Sequence, residues 1–232
     1  MYRMKALFDN NKSWVAHVRE ADPSFFDRLA DRQEPNFLFI GCSDSRVPES
    51  IITGTNPGEM FVHRNIANQV YATDLNLLSV LQYAVEVLDV PHVIVCGHSN
   101  CGGVKAAMGD ANNGLVDNWL ARVREIHHAH RHDPVEPDEA VFRLVCLNVV
   151  QQVANLSTIP LIRSAWEKGR RPTLHGLVYD IHNGLLQPLV TAIDGVDKAA
   201  ILTDQSRVIE AAKAGNPYFT PPRSTAAPGD RA

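Results

Sequence analysis

The chain has little cysteine, no excess of positive charge and no long apolar run. Its 232 residues hold four cysteines, too few at this length for a disulfide framework, so clustered thiols point to metal binding or chemistry in a reducing compartment. Lys and Arg number 22 against 26 Asp and Glu, a net charge of −4. No basic stripe is present, which excludes nucleic acid as a main partner. No segment approaches eighteen consecutive apolar residues, and Met1-Tyr2-Arg3-Met4-Lys5 starts no signal peptide; no membrane partner is expected, and the cytosol is the expected compartment. Glycine is also missing where a dinucleotide site needs it, because Gly97 and Gly102-Gly103 do not complete a phosphate-cradling pattern. Hydrophobic residues are ample at 45%, enough for a sizeable core in one domain spanning residues 1–232.

The apolar pattern changes along the chain. Trp14, Val15, Val18, Phe25, Phe26 and Leu29 lie among charges with Pro23 between them, which predicts an arm of two short amphipathic helices over residues 1–34. Residues 36–41 run apolar without alternation, the mark of a strand buried on both faces. Pro48 is expected at the first position of a short helix. Glu59–Arg64 and 92–97 read as further strands, with Thr73-Asp74 capping a broad apolar helix over 74–89. From 114 to about 169 the pattern is helical, broken near Asp133-Pro134 and Thr158-Ile159-Pro160. Two late strands flank His182-Asn183-Gly184, a hairpin signal that makes the last strand antiparallel. A helix over 199–213 and a mobile, proline-rich tail from about 217 to 232 complete the reading. Strands separated by helices imply an α/β fold: a central, largely parallel β-sheet with an antiparallel edge strand, flanked by helices.

The chemistry gathers in two stretches, Gly41-Cys42-Ser43-Asp44-Ser45-Arg46 and Cys96-Gly97-His98-Ser99-Asn100-Cys101-Gly102-Gly103. Each follows a predicted strand, and ligands in such sheets collect at carboxyl ends of strands. Cys42, Asp44, His98 and Cys101 make a complete donor set for one tetrahedral Zn2+. Arg46 complicates the count, since it can hold Asp44 as a bidentate partner. With Asp44 on zinc the site is closed; with Asp44 on Arg46 a water can take the fourth place and be acidified toward a pKa of about 7. Cys96 and Cys146 read as small buried hydrophobes, and His127, His128, His130 and His132 as a solvated, histidine-rich surface.

Three motifs carry a resemblance: Cys42-Ser43-Asp44-Ser45-Arg46-Val47, Gly58-Glu59-Met60-Phe61-Val62-His63-Arg64-Asn65-Ile66-Ala67-Asn68, and Gly97-His98-Ser99-Asn100-Cys101-Gly102-Gly103. In this order they resemble the β-class carbonic anhydrases over roughly residues 30–190. The resemblance implies reversible hydration of carbon dioxide to bicarbonate and a proton by zinc-bound hydroxide, with one zinc per subunit. It makes Cys42, His98 and Cys101 the permanent ligands, and Asp44 and Arg46 a dyad that opens or closes the metal. It places Gln33, Phe61, Ile66, Tyr83 and Gly102 at the substrate pocket. Part of that pocket belongs to a second subunit in the family, so a homodimer or homotetramer is implied. A second, regulatory bicarbonate site of some members needs a tryptophan, an arginine and a tyrosine. Arg64 and Tyr179 match, but Phe39 replaces the tryptophan and lacks its N–H donor. Two rival functions use the same donors: a zinc hydrolase of carbon disulfide or carbonyl sulfide, and a zinc-stabilised binding module without catalysis.

Overall fold

The computed structural model of the chain describes residues 4–137 and 139–215. They form two units that divide after Glu34; the proline-rich tail expected from 217 onward lies outside the described residues. In the first unit, α1 (Met4–Ala21) and α2 (Phe25–Asp31) carry the predicted amphipathic pattern. Trp14 meets Phe26 edge-on at 5.6 Å, and the Arg19 guanidinium lies 5.6 Å from the same ring.

The second unit is built on five strands: β1 (Phe37–Cys42), β2 (Met60–Asn65), β3 (His92–His98), β4 (Thr173–Asp180) and β5 (Leu185–Ile193). Their order is β2-β1-β3-β4-β5, with the first four parallel and β5 antiparallel at the edge. The sheet therefore matches the expected architecture. The β4–β5 hairpin turns at Gly184, whose φ of 75° is the left-handed conformation that glycine adopts at no steric cost. Helices fill the crossovers: α3 (Glu49–Thr53) before β2, and α4 (Leu75–Gln82) before β3. Between β3 and β4 lie α5 (Gly102–Met108), α6 (Leu115–Trp119), α7 (Ala121–Ala129), α8 (Ala140–Thr158) and α9 (Pro160–Glu167); α10 (Val196–Ala199) and α11 (Gln205–Gly215) follow β5.

Three local expectations need correction. Pro48 is not the first helical residue but stands one place earlier, at the N-cap of α3. The helix expected over 74–89 does begin at its Asp74 cap, whose carboxylate accepts from the N–H of Asn76 at 3.0 Å. Its last turn widens into a π-helix at Tyr83–Val87, where the Leu88 N–H reaches Tyr83 O at 3.0 Å. The helix expected over 199–213 is a 3-10 turn, Ala200–Thr203, followed by α11. Asp204 separates them by accepting from the Arg207 N–H at 3.0 Å, starting a new helix rather than continuing the old one.

Helix α8 is the central packing element. It is apolar enough for a membrane span by composition, yet 67% of it is buried inside the protein. Its Val149 and Val153 lie against Gly176 of β4, where an added Cβ would sit 2.9 Å and 3.1 Å from them. The missing side chain is what admits the helix. On the same sheet face Leu38, Ile40, Val93, Val95, Leu174 and Val178 are completely buried, each contributing roughly 1.5–3 kcal/mol of transfer free energy. A buried ladder of amides links α8 to the segment after β2. Asn148 donates to Ala67 O at 3.0 Å, Gln152 accepts from the Val70 N–H at 2.9 Å, and Asn155 donates to Val70 O at 3.1 Å. That ladder holds Ala67 and Asn68 in positive-φ conformations of 61° and 47°.

One histidine of the surface group is misjudged by its composition. His130 is not merely solvated: its Nδ1 lies 2.8 Å from Asp133 Oδ2, which also accepts from Arg143 Nη2 at 2.6 Å and Ser206 Oγ at 3.2 Å. These contacts join the end of α7 to α8 and α11 and hold the Asp133 carboxyl down at about 2.

Two outcomes are expected. Gly176→Ala presses a methyl group into Val149 and lowers stability by about 1–3 kcal/mol, read as a lower melting temperature. Asp133→Asn destabilises at neutral pH by about 1 kcal/mol, the value of a partly exposed charged contact. A depressed carboxylate stabilises the fold above its unfolded value near 4 and loses that contribution as pH falls toward 2. The gap between wild-type and Asp133→Asn melting temperatures therefore narrows on acidification from pH 5, and a gap independent of pH would contradict this assignment.

Candidate metal centre

The parallel pairing of β1 with β3 sets Gly41 opposite Cys96, so Cys42 and His98 end neighbouring strands at the same carboxyl end of the sheet. The strand order reverses between these two strands, the place where open α/β sheets bind ligands. Asn100, with a φ of 59°, then turns the chain sharply, and Cys101 becomes the residue ahead of α5. The donor atoms of Cys42, His98 and Cys101 all lie within 4.8 Å of one another and all three residues are buried. Among the described residues no other such cluster of three His, Cys, Asp or Glu donors is found.

The chemistry of these atoms fits a soft divalent cation. The two sulfurs are 3.9 Å apart. The hydrogen bond from Cys101 pulls the Cys42 thiol down to about 4, while that bond and burial push Cys101 up. A bound cation replaces the proton of that hydrogen bond, since thiolate is the ligand form. His98 Nδ1 donates to Ser99 O at 2.9 Å, which fixes the tautomer and leaves Nε2 as a bare acceptor. That Nε2 is buried with no hydrogen-bond partner. A buried, unsatisfied imidazole nitrogen beside two sulfurs is a donor set of the kind that fits zinc. The other thiols differ: burial pushes Cys96 and Cys146 up to about 12, and neither belongs to the cluster.

Asp44 faces the same space. Its Oδ2 is 3.7 Å from His98 Nε2, but its carboxylate is taken by Arg46: Nε to Oδ1 at 2.9 Å, Nη2 to Oδ2 at 2.7 Å, and the Arg46 N–H to Oδ1 at 2.9 Å. The guanidinium holds the Asp44 carboxyl well below the usual carboxylate range despite some opposing burial. Arg46 also donates to Asn100 O at 3.3 Å, tying the first loop to the second.

The other expected residues have contacts of their own. Phe61 and Tyr83 stack on each other at 5.8 Å. Ile66 lies against α5, its Cγ2 2.8 Å from where a Cβ on Gly103 would stand, and its carbonyl accepts from Trp119 Nε1 at 2.8 Å. Gly102 opens α5 with nothing within 4 Å of a Cβ position. Gln33 is an exposed residue of the first unit. Of the three residues matched to a regulatory site, Phe39 is completely enclosed on the second sheet face with Ile94 and Cys96, and Tyr179 packs against that cluster. Arg64 instead grips the first loop: it donates to Cys42 O at 2.7 Å, Asp44 O at 2.6 Å and Val47 O at 3.1 Å, with Glu49 at 3.6 Å.

This clamp was not legible in the sequence, because it runs from a side chain to three carbonyls. Asp180 was also missed, although a carboxylate at the carboxyl end of a strand next to the His98 strand was a usable signal. It is buried and accepts from Ser99 Oγ at 2.9 Å.

Comparison with known proteins agrees with the geometry. The family profile described as carbonic anhydrase matches residues 37–186. A carbonic anhydrase of Emericella nidulans is 41% identical over 210 residues, covering 89% of this chain and 90% of that one. The β-carbonic anhydrase of Coccomyxa, solved with acetazolamide, superposes with a TM-score of 0.82 at 34% identity, covering 91% of this chain and 99% of that one. One of two tetrameric β-carbonic anhydrases from Sordaria macrospora gives 0.76 at 39% identity, covering 80% of this chain and 95% of that one. With two thiols and an orphaned imidazole converging at the sheet's switch point, and with relatives matched over most of its length, the chain belongs to the β-class carbonic anhydrases.

Proposed function

We propose that Cys42, His98 and Cys101 hold one zinc ion, and that Asp44 and Arg46 govern its fourth position during the interconversion of carbon dioxide and water with bicarbonate and a proton. The observation that carries this reading is the bidentate Asp44–Arg46 pair, which keeps the carboxylate beside the metal donors rather than among them. When bound, zinc supplies a Lewis acid that brings the pKa of a ligand water toward about 7. The protein's own groups do the rest. Asp44 stays ionised because Arg46 faces it, so it can only accept hydrogen bonds. Asp44 would accept an O–H from a water placed between it and His98 Nε2 and so orient that water. Arg64 keeps the loop that bears both Cys42 and Asp44 in register through their carbonyls.

Carbon dioxide is uncharged, so apolar side chains suffice to position it. Phe61, Ile66 and Tyr83 are proposed for that role, with the Gly102 N–H offering a polar contact to bicarbonate. Self-association as a dimer or tetramer would supply the remaining wall. It is supported by the exposed apolar surface of Leu75, Tyr83 and Val87, at 76%, 44% and 62%, and by the tetrameric assembly of the Sordaria macrospora relatives. Release of Asp44 from Arg46 onto zinc would close the site. With Phe39 in place of an indole and Arg64 engaged by the loop carbonyls, we propose that such closure does not use a second bicarbonate.

Asp44→Asn and Arg46→Ala are expected to retain stoichiometric zinc while lowering carbon dioxide hydration on the order of 100-fold in stopped-flow assays. Near-normal rates in both would remove the dyad from the mechanism, and carbonyl sulfide hydrolysis faster than hydration would favour the sulfur substrate instead. Light scattering should give a mass of two or four chains, against which a monomer at micromolar concentration would count.

A further inference from the structure

We infer that Ser99 and Asp180 form a positioning pair for His98, fixing through hydrogen bonds the direction in which that imidazole meets the metal. The inference rests on the proposed zinc site and adds two residues to it. β3 pairs with β4 as far as His98 and Tyr179, so the ladder fixes the peptide before Ser99, but Asn100 is already in the left-handed conformation and the ladder does not reach the peptide that carries the Ser99 carbonyl. Among the described residues the Ser99 carbonyl is the group that holds His98 Nδ1, at 2.9 Å. Whatever orients the Ser99 peptide orients the ring.

That orientation comes from the end of β4. The Ser99 N–H donates to Tyr179 O at 2.8 Å. The Ser99 hydroxyl donates to Asp180 Oδ1 at 2.9 Å and accepts from the Ile181 N–H at 2.9 Å. Asp180 is itself set by the His182 N–H, which donates to the same Oδ1 at 3.0 Å, and by the Gly184 N–H, which donates to its carbonyl at 2.8 Å. Ser99 and Asp180 are each 2% exposed and His98 is fully buried, so water does not compete for these bonds. A buried hydroxyl donating to a carboxylate is stronger than a neutral pair, which suits a group that must keep a peptide plane against the pull of a metal ligand. Partners that orient a metal-bound histidine commonly change metal affinity by 10–100-fold when removed.

A plainer role for Asp180 is to shape the β4–β5 turn, through its bond to the His182 N–H alone. Ser99→Ala keeps the His182 bond to Asp180 but also removes the acceptor of the Ile181 N–H, so the two roles are separated by a readout at the metal rather than by stability. The measurement is zinc affinity by competition with a chelator, together with the visible spectrum of the cobalt-substituted protein. Ser99→Ala and Asp180→Ala are each expected to weaken zinc by about 10–100-fold and to shift the cobalt bands. The double variant should be no weaker than the weaker single, since both remove one path. Asp180→Asn, which keeps an acceptor for both donors, should stay within about threefold of wild type. If Asp180→Ala does not fold, Ser99→Ala and Asp180→Asn decide the matter. Unchanged zinc affinity and an unchanged cobalt spectrum in Ser99→Ala, with zinc held normally by wild type, would overturn this inference alone. A wild-type protein that binds no zinc would overturn the metal site beneath it.

Discussion

Everything chemical in this protein depends on the parallel register between β1 and β3. That pairing brings two strand ends that are 56 residues apart in sequence, Cys42 and His98, together at the carboxyl end of the sheet. A slip of one residue would turn the Cys42 side chain to the other face and dissolve the donor set. The register is in turn held by burial on both sheet faces. Leu38 and Ile40 are enclosed in the main core and Phe39 in the smaller cluster opposite, so a one-residue slip would exchange the faces of all three.

Upon this frame the site is a contest between charges. Two thiols, an imidazole and a carboxylate converge, and a lone cation would satisfy all four. Arg46 changes the outcome by offering Asp44 two parallel hydrogen bonds and a full positive charge. In this structure the carboxylate consequently lies beside the donors, held by Arg46. Arg64 and the loop carbonyls make this arrangement rigid from behind, so the position of Asp44 does not rest on Arg46 alone.

Local chemistry was legible from the sequence, and tertiary reach was not. Residues whose roles follow from type and neighbours were visible: Cys42 and His98 at strand ends, Asp74 as a cap, Asn183-Gly184 as a hairpin turn. The dyad was readable as a pair of options because Asp44 and Arg46 are two residues apart; that the pair forms here is a fact of side-chain conformation. Arg64 was matched to a bicarbonate site by resemblance, yet its donors meet backbone carbonyls, which no side-chain pattern encodes. Asp180 and Ser99 lie 81 residues apart and meet because β3 pairs with β4. The amides of α8 were overlooked for a related reason: Asn148, Gln152 and Asn155 interrupt an apolar helix, and only the strained Ala67-Asn68 turn opposite explains them.

The central claim is that two sulfurs and one imidazole of this chain hold the metal while Asp44 stands aside. Zinc X-ray absorption on the purified protein above neutral pH addresses it most directly. The account predicts two sulfurs at about 2.3 Å, one imidazole nitrogen at about 2.0–2.1 Å and one light atom that azide or another small anion displaces. A shell with fewer than two sulfurs, or a fourth ligand that no anion displaces, would contradict it.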